Sequence, residues 1–288
     1  MKLAVSSYSF ARLMRDKGLS ELDIIPLAKE IGFDAMEFAG LAVPKEMKIS
    51  DYAHKVRSVC DENDIMVTNY AVSGNLLVTD YTDEIRRIKD ELDIAAILGS
   101  SFFRHDVAWN PPADGNRSFA KNVAKLAAGC QEITEYGASI GIQTMIENHG
   151  YFCQGSFRVE MLVDEVNNQN FGVLFDMGNF LCVDEDPCQA LGVLLPYIKT
   201  VHIKDFYYRD GHDGNPGEGW FNTRGGNFIQ GAIVGQGIVP VSKCLHMLAA
   251  SKYNGVIALE YEGLLDVLPS IKIGYNNIKK MLAVIFSQ

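Results

Sequence analysis

The feature that most constrains this chain is a regular alternation of short strand-forming runs with longer amphipathic segments. Runs such as "DAMEFAG" and "FGVLFDMG" are largely apolar, whereas segments such as "DYAHKVRSVCDEND" place apolar residues at helical spacing. Strands that alternate with helices form parallel sheets, whose strands are buried on both faces. The pattern recurs eight times, which predicts an α/β fold built as a single (β/α)₈ TIM barrel.

Local signals agree with this alternation. Ser20 and Asp23 have the spacing of a capping box, and the helical pattern that follows closes at Gly32. The chain has no G-x-G-x-x-G after its first strand, so the pattern disfavours a dinucleotide-binding open sheet. A hydrophobic content of 48% and the lack of a low-complexity linker predict one TIM-barrel domain over residues 1–288.

Charge and cysteine content exclude several classes of function. A net charge of -10 disfavours a nucleic-acid partner, because phosphate binding needs a concentrated basic face. No apolar run reaches the roughly 18 to 20 residues of a membrane span, and the first residues make a poor signal peptide, so we expect a cytoplasmic protein without membrane contact. The six cysteines form no C-x-x-C pair and are expected to be reduced core thiols.

Four consecutive predicted strands, the fifth to the eighth, end in side chains that bind metals. They end at Glu147, Asp176, His202 and Glu260. In a TIM barrel the carboxyl ends of the strands meet at one face, where the active site lies. An ionised carboxylate at the end of a buried strand is tolerated when it is paired, hydrogen-bonded or bound to metal. We therefore expect these four side chains to share a divalent cation.

The ligand types restrict the metal. Three carboxylates and one imidazole form a hard, oxygen-rich site, which suits one divalent ion, Mn²⁺, Mg²⁺, Co²⁺ or Zn²⁺. Asn148 and His149 follow Glu147, and Lys204 and Asp205 follow His202, where these four residues can orient ligands or bind substrate hydroxyls.

Several motifs together resemble a known family. The stretches "IENHG", "FDMGN", "VHIKD", "VGQGIVP" and "LEYEG", in this order, look like the xylose-isomerase-like barrel superfamily of sugar and sugar-phosphate isomerases and epimerases. The opening "SSYSF" and "GFDAMEFAG" are similar to the first two strands of that family, so the resemblance spans nearly the whole chain.

The resemblance implies roles for individual residues. Glu147, Asp176, His202 and Glu260 match the metal ligands of the family, and Glu147 and Glu260 match the glutamates that exchange the substrate proton in its ketohexose 3-epimerases. Further positions are expected to bind substrate: Glu37, Arg104, His105, Asn179, Lys204 and Asp205. At Asn179 those epimerases carry a histidine, so the resemblance does not name one sugar.

The function implied is a divalent-metal-dependent isomerase or epimerase of a ketose or sugar phosphate, acting by proton transfer through a metal-stabilised enediolate. A small-molecule sugar or sugar phosphate is then the partner, and homo-oligomers are the tendency of the family. A loop from Phe206 to Ile233 is long enough for a lid or an oligomer contact, and Arg224 within it is a phosphate-binding candidate.

Three alternatives stay open. A metal-dependent dehydratase of a keto-inositol uses nearly the same ligands, because proton abstraction can be followed by loss of hydroxide. An endonuclease IV type of apurinic endonuclease shares the barrel, but its three-zinc site needs more histidines, and Asn69 and Asn179 stand at two of those places. A sugar-binding barrel without catalysis is the third.

Overall fold

Eight parallel strands close into a barrel in the computed structural model, which describes residues 1–112 and 115–286. This confirms the (β/α)₈ fold, and each barrel strand pairs with the next one in the chain until the last closes on the first. The barrel strands are β1 (Lys2–Ser6), β2 (Ala35–Ala39), β3 (Met66–Val72), β4 (Phe102–His105), β5 (Gln143–Glu147), β6 (Phe171–Asp176), β7 (Ile198–Ile203) and β11 (Val256–Leu259).

Helices surround the barrel and cover the outward-facing strand residues. Phe38, Tyr70 and Phe103 point outward and are almost fully buried in this layer. The helices are α1 (Ala11–Lys17), α2 (Glu21–Ile31), α3 (Ile49–Glu62), α4 (Tyr81–Leu98), α5 (Phe119–Ser139), α6 (Ser156–Val166), α7 (Pro187–Leu194), α8 (Val241–Ala250) and α9 (Val267–Phe286). None of those in the described ranges combines the length and apolarity that crossing a bilayer requires.

The predicted caps of the second helix are present. The Ser20 amide and hydroxyl both donate to Asp23 Oδ2, at 2.8 and 2.6 Å, which satisfies donors that the first turn of a helix leaves free. At the other end Gly32 has φ +119°, a conformation that residues with a Cβ rarely adopt. The sequence signals therefore fix both ends of α2.

The segment predicted as an extended loop after β7 instead forms a small antiparallel sheet. Its strands are β8 (Asp205–Arg209), β9 (Phe221–Asn222) and β10 (Phe228–Ala232), in the order β8-β10-β9. Asp184 anchors this sheet by accepting hydrogen bonds from Thr223 Oγ1 at 2.7 Å and Asn227 Nδ2 at 2.9 Å. Arg224, the phosphate-binding candidate, donates to the Tyr151 carbonyl instead. The segment contains β-branched and aromatic residues, which favour paired strands over an irregular loop.

Candidate active site

The four predicted ligands converge at the carboxyl end of the barrel. Asp176 and His202 are directly paired across β6 and β7, and Ala258 of β11 pairs with His202, which puts Glu260 just beyond the end of β11. One ligand atom from each of the four side chains lies within 4.8 Å of the others, and all four residues are buried. Consecutive parallel strands thus bring together residues separated by more than 100 positions in the sequence.

The spacing of these atoms fits a cation between them. His202 Nδ1 lies 3.6 Å from Asp176 Oδ2, 3.6 Å from Glu260 Oε2 and 3.8 Å from Glu147 Oε1, distances too long for hydrogen bonds. Both His202 Nδ1 and Asp176 Oδ2 are buried without a hydrogen-bond partner. Buried polar atoms without partners are rare, and ligands of one ion about 2.1 Å away lie roughly 3 Å or more apart. The residues present therefore fit a divalent cation.

Asp176 has a second anchor that fixes its orientation. Its Oδ1 accepts hydrogen bonds of 2.8 Å from the amides of Gly178 and Asn179, in the turn that ends β6. Asn148 holds the neighbouring strand in place, since its side chain exchanges two hydrogen bonds of 2.9 Å with the Asp176 backbone. These contacts leave Oδ2 to face the other ligands, which explains why a buried strand ends in this carboxylate.

Glu37 lines the cavity and also contacts His202, one of the four candidate ligands. Its Oε1 lies 2.7 Å from His202 Nε2, and its Oε2 accepts from Asn69 Nδ2 at 3.1 Å. A contact this short between the carboxylate and the ring nitrogen needs a proton on Nε2. In the neutral ring, a proton on Nε2 leaves Nδ1 without hydrogen and available to a metal.

A basic side chain holds each of the two glutamates. Arg104 Nη2 lies 2.6 Å from Glu147 Oε2, and Lys204 Nζ lies 2.7 Å from Glu260 Oε2. Asn179 links the two sides, because its Nδ2 donates to Glu147 Oε1 at 2.9 Å and its Oδ1 accepts from Lys204 at 3.2 Å.

The two glutamates differ in proton affinity. Burial raises the pKa of Glu147 above its ordinary value, and Arg104 offsets this only in part. Burial acts on Glu260 in the same direction, but Lys204 and His202 outweigh it and hold the pKa of Glu260 well below its usual range. Paired carboxylates with separated proton affinities are typical of acid-base sites.

These side chains border a cavity of about 220 Å³. This is smaller than the roughly 300 to 1,000 Å³ typical of sites for drug-sized ligands, so the cavity suits a small polar molecule. Its outer wall carries two aromatic side chains, Tyr8 and Trp109, which are 45% and 47% exposed. Trp109 packs edge-on against His149, with ring centroids 4.4 Å apart.

Eight of the ten predicted site residues lie together at this end of the barrel. Glu37, Arg104, Glu147, His202, Lys204 and Glu260 line the cavity, while Asp176 and Asn179 lie directly behind it. The metal-binding, catalytic and substrate-binding roles of these residues stay predictions.

His105 and Asp205 lie elsewhere. Successive residues of a strand point to opposite faces, so His105 turns outward where Arg104 turns inward. Its ring lies near Phe103, and Nδ1 is 3.0 Å from the Asp106 carbonyl oxygen. We had expected His105 to bind substrate, but it does not border the cavity.

Asp205 organises the loop that follows β10. Its carboxylate accepts hydrogen bonds from the amides of Gly235, Gly237 and Val239, at 2.9 to 3.0 Å. A Cβ on Gly237 would lie 2.2 Å from Asp205 Oδ1, so only glycine allows this approach. The "VGQGIVP" stretch is thus shaped around the carboxylate, which is not free to bind substrate.

Four residues in or beside the cavity are not among the ten predicted site residues. Tyr8, His149 and Glu262 line the wall, and Asp106 supports Arg104. Glu262 follows Glu260 by two residues, so strand alternation alone places both on one face. Tyr8 carried no comparable signal, because it lies in a 3₁₀ turn after β1.

The family model described as "Xylose isomerase-like TIM barrel" matches residues 25–276. The chain belongs to the xylose isomerase-like TIM barrel family. In sequence, the chain is similar to inosose dehydratase 1 of Bacillus cereus, with 28% identity over 141 residues. That match covers 48% of this chain and 46% of the relative, so the chain matches only about half the length of that enzyme.

Several solved structures share the fold. The probable 3-DHS dehydratase AsbF of Bacillus anthracis superposes with a TM-score of 0.74 at 19% identity, covering 97% of this chain and 99% of that one. D-psicose 3-epimerase of Clostridium cellulolyticum H10, crystallised with D-tagatose, gives a TM-score of 0.73 at 14% identity, covering 98% and 99%. At these identities the likeness shows the fold alone.

Proposed function

We propose that this protein is a divalent-metal-dependent isomerase or epimerase that moves a proton at the carbon beside the carbonyl of a small ketose or sugar phosphate. The observation that carries the proposal is the pair of glutamates bordering one cavity, each among the four candidate ligands and each held by its own basic group. The metal is Mn²⁺, Mg²⁺, Co²⁺ or Zn²⁺, held by Glu147, Asp176, His202 and Glu260.

The cation supplies one part of the chemistry, since a bound divalent ion stabilises negative charge that develops on oxygens beside it. The protein supplies the proton transfer. Glu147, with its raised pKa, accepts a proton more readily than an ordinary carboxylate, and Arg104 and Asn179 fix its two oxygens. Glu260, held ionised by Lys204, is the second carboxylate in reach of the same molecule. Tyr8 and Trp109 form the wall against which the carbon skeleton packs.

Solvent exchange tests this proposal. We expect the enzyme, with Mn²⁺ or Mg²⁺ and a ketose substrate in D₂O, to incorporate deuterium at the carbon next to the carbonyl, measured by mass spectrometry. Turnover with full retention of a deuterium label already on the substrate would indicate a hydride shift and contradict proton transfer.

A keto-inositol dehydratase is the second candidate, favoured by the partial match to inosose dehydratase. The same residues would abstract the proton, and a hydroxide would then leave the neighbouring carbon. A product lighter by one water, seen in the same mass spectra with a keto-inositol as substrate, would identify this reaction.

An apurinic endonuclease is a distant third. Among the described residues, the group that could hold a metal consists of the same four side chains. Asn69 and Asn179, at two places where such an endonuclease needs histidines, instead donate hydrogen bonds to Glu37 and Glu147, respectively. We expect no incision of a duplex with an abasic site at any zinc concentration, and efficient incision would overturn the isomerase proposal.

A further inference from the structure

The positive charges in the cavity are already engaged. Arg104 Nη2 lies 2.8 Å from Asp106 Oδ1 and 2.6 Å from Glu147 Oε2, and Nη1 donates to the Val72 carbonyl at 3.2 Å. Its Nε makes no hydrogen bond but has essentially no exposed surface, so a ligand in the cavity does not reach it. Bidentate recognition of a phosphate by arginine needs two free N–H groups on one edge. Arg104 does not offer them.

Lys204 is engaged in the same way. Its ammonium group has oxygen neighbours on Glu260 at 2.7 Å, Asn179 at 3.2 Å, Asp176 at 3.4 Å and Glu262 at 3.5 Å. Three N–H donors thus face four protein oxygens. Among the described residues, no other lysine or arginine lines the cavity.

Carboxylates outnumber cations around the cavity. Six of them border it or contact its basic groups: Glu37, Asp106, Glu147, Asp176, Glu260 and Glu262. Arg104, Lys204 and a divalent ion supply four positive charges against these six carboxylates. The rest of the wall includes Ala39 and Ala71.

From this arrangement we infer that the substrate is an uncharged polyhydroxy carbonyl compound, a free ketose or keto-inositol without phosphate or carboxylate. The inference rests on the proposed function and narrows its substrate class. A phosphate entering the cavity would meet excess negative charge and would have to displace a protein carboxylate from Arg104 or Lys204. Hydroxyl groups instead donate hydrogen bonds to the carboxylates as they stand. Like charges brought together in a desolvated site repel each other and weaken binding.

Paired ligands that differ only in a phosphate test the inference. The Mn²⁺-loaded protein is titrated with D-tagatose, D-fructose and a keto-inositol, and with D-tagatose 6-phosphate and D-fructose 6-phosphate, at constant free Mn²⁺. Dose-dependent thermal stabilisation gives the apparent Kd of each. We expect each free ketose that binds to do so at least about tenfold more tightly than its 6-phosphate.

Two substitutions at one position on the rim of the cavity, one that adds a positive charge and one that is uncharged, provide a matched pair of variants. Ala39 lies two residues after Glu37 on β2, hence on the same face and closer to the mouth, and its side chain is exposed. Ala39→Arg adds a cation with no assigned partner and should reduce the preference for the free sugar at least about fivefold. Ala39→Gln, of similar length and uncharged, should leave the preference unchanged. Thermal unfolding and Mn²⁺ binding verify that both variants are folded and loaded.

The outcomes separate this inference from the proposed function. Equal or tighter binding of the 6-phosphates by the parent, or no binding by any uncharged probe, would overturn the inference. Solvent deuterium entering a ketose phosphate faster than its free ketose would also overturn it while supporting the proton-transfer function. Preferential binding of uncharged probes without any exchange would support the inference and count against the function.

Discussion

Two buried histidines at the ends of barrel strands lie in opposite surroundings. His202 of β7 points into the barrel, where burial opposes its charge but, while no metal is bound, Glu37 and Glu260 outweigh this and hold its pKa well above the ordinary value. His105 of β4 points outward into the layer beneath the helices, where burial lowers its pKa to about 4. Both are almost fully buried, so burial alone decides neither their charge nor their role. The face of the strand on which each histidine lies decides its charge and its role.

The barrel mouth and the layer beneath the helices differ in the same way as these two histidines. Inside the mouth, charged side chains are buried as a network in which each basic group contacts at least two carboxylates. In the outer layer large apolar side chains are buried, such as Phe103 beside His105. A network of buried charges is tolerated only when its members are paired. Changes inside the mouth should therefore act on metal binding and catalysis, and changes in the outer layer on stability.

The largest effect is expected for Asp176→Asn. The substitution removes an anionic ligand at the centre of the inner region, so Mn²⁺ affinity should fall by at least about 100-fold. Titration of the purified variant with Mn²⁺, followed by electron paramagnetic resonance, measures it. Glu262→Gln is the matched control, because it removes a cavity carboxylate outside the candidate ligand group and should keep the ion. Unchanged affinity in Asp176→Asn would refute the ligand group.

Glu147→Gln and Glu260→Gln should each lower kcat at least about 100-fold, because each removes a proton-transferring group. They should also weaken Mn²⁺, since each removes a ligand charge, so kcat is measured at saturating metal. If either variant turns over at the parent rate under those conditions, its glutamate is not an acid or base in the reaction.

Glu37→Gln should weaken Mn²⁺ binding by about 10- to 100-fold, because a neutral amide oxygen holds the His202 Nε2 proton more weakly than a carboxylate does. A merely structural role would predict lower stability with unchanged metal affinity. Glu37→Asp, which keeps the charge on a shorter side chain, should recover part of the affinity. Competition with a chromophoric chelator measures the Mn²⁺ affinity of the parent and of both variants.

The smallest effect is expected for His105→Asn, and it concerns stability. The folded-state pKa of His105, about 4, lies below the unfolded-state value of about 6.5. The unfolded chain therefore binds more protons between these values, and the stability conferred by neutral His105 is lost as the pH falls through this window. Between pH 6.5 and pH 5 this loss is about 1.5 kcal/mol.

Urea unfolding of the metal-free parent and His105→Asn at both pH values measures this contribution. The variant should lose less stability than the parent over this range and should bind Mn²⁺ as the parent does. A variant with the same pH dependence as the parent, or with weakened metal binding, would contradict the placement of His105 in the outer layer.

Residues at strand ends show how far sequence reasoning reached. Glu147, Asp176, His202 and Glu260 each end or follow a predicted strand, and parallel strands leave their ends at one face, so their convergence followed from order alone. His105 was misplaced because the pattern located the end of β4 without fixing which residue faces inward. Asp205 was misplaced because three amides from a loop about 30 residues later surround its carboxylate.

By itself the sequence determined the barrel, the caps of its second helix and the group of side chains at its mouth, because strand-helix alternation and strand-end position are local properties. The extent of the domain, residues 1–288, stays a prediction. Only the tertiary structure decided which basic group holds which carboxylate, that Glu37 faces His202, and that Arg104 and Lys204 have no free edge for an anion. These pairings depend on distances between side chains from different strands, and no local pattern in the chain specifies such distances.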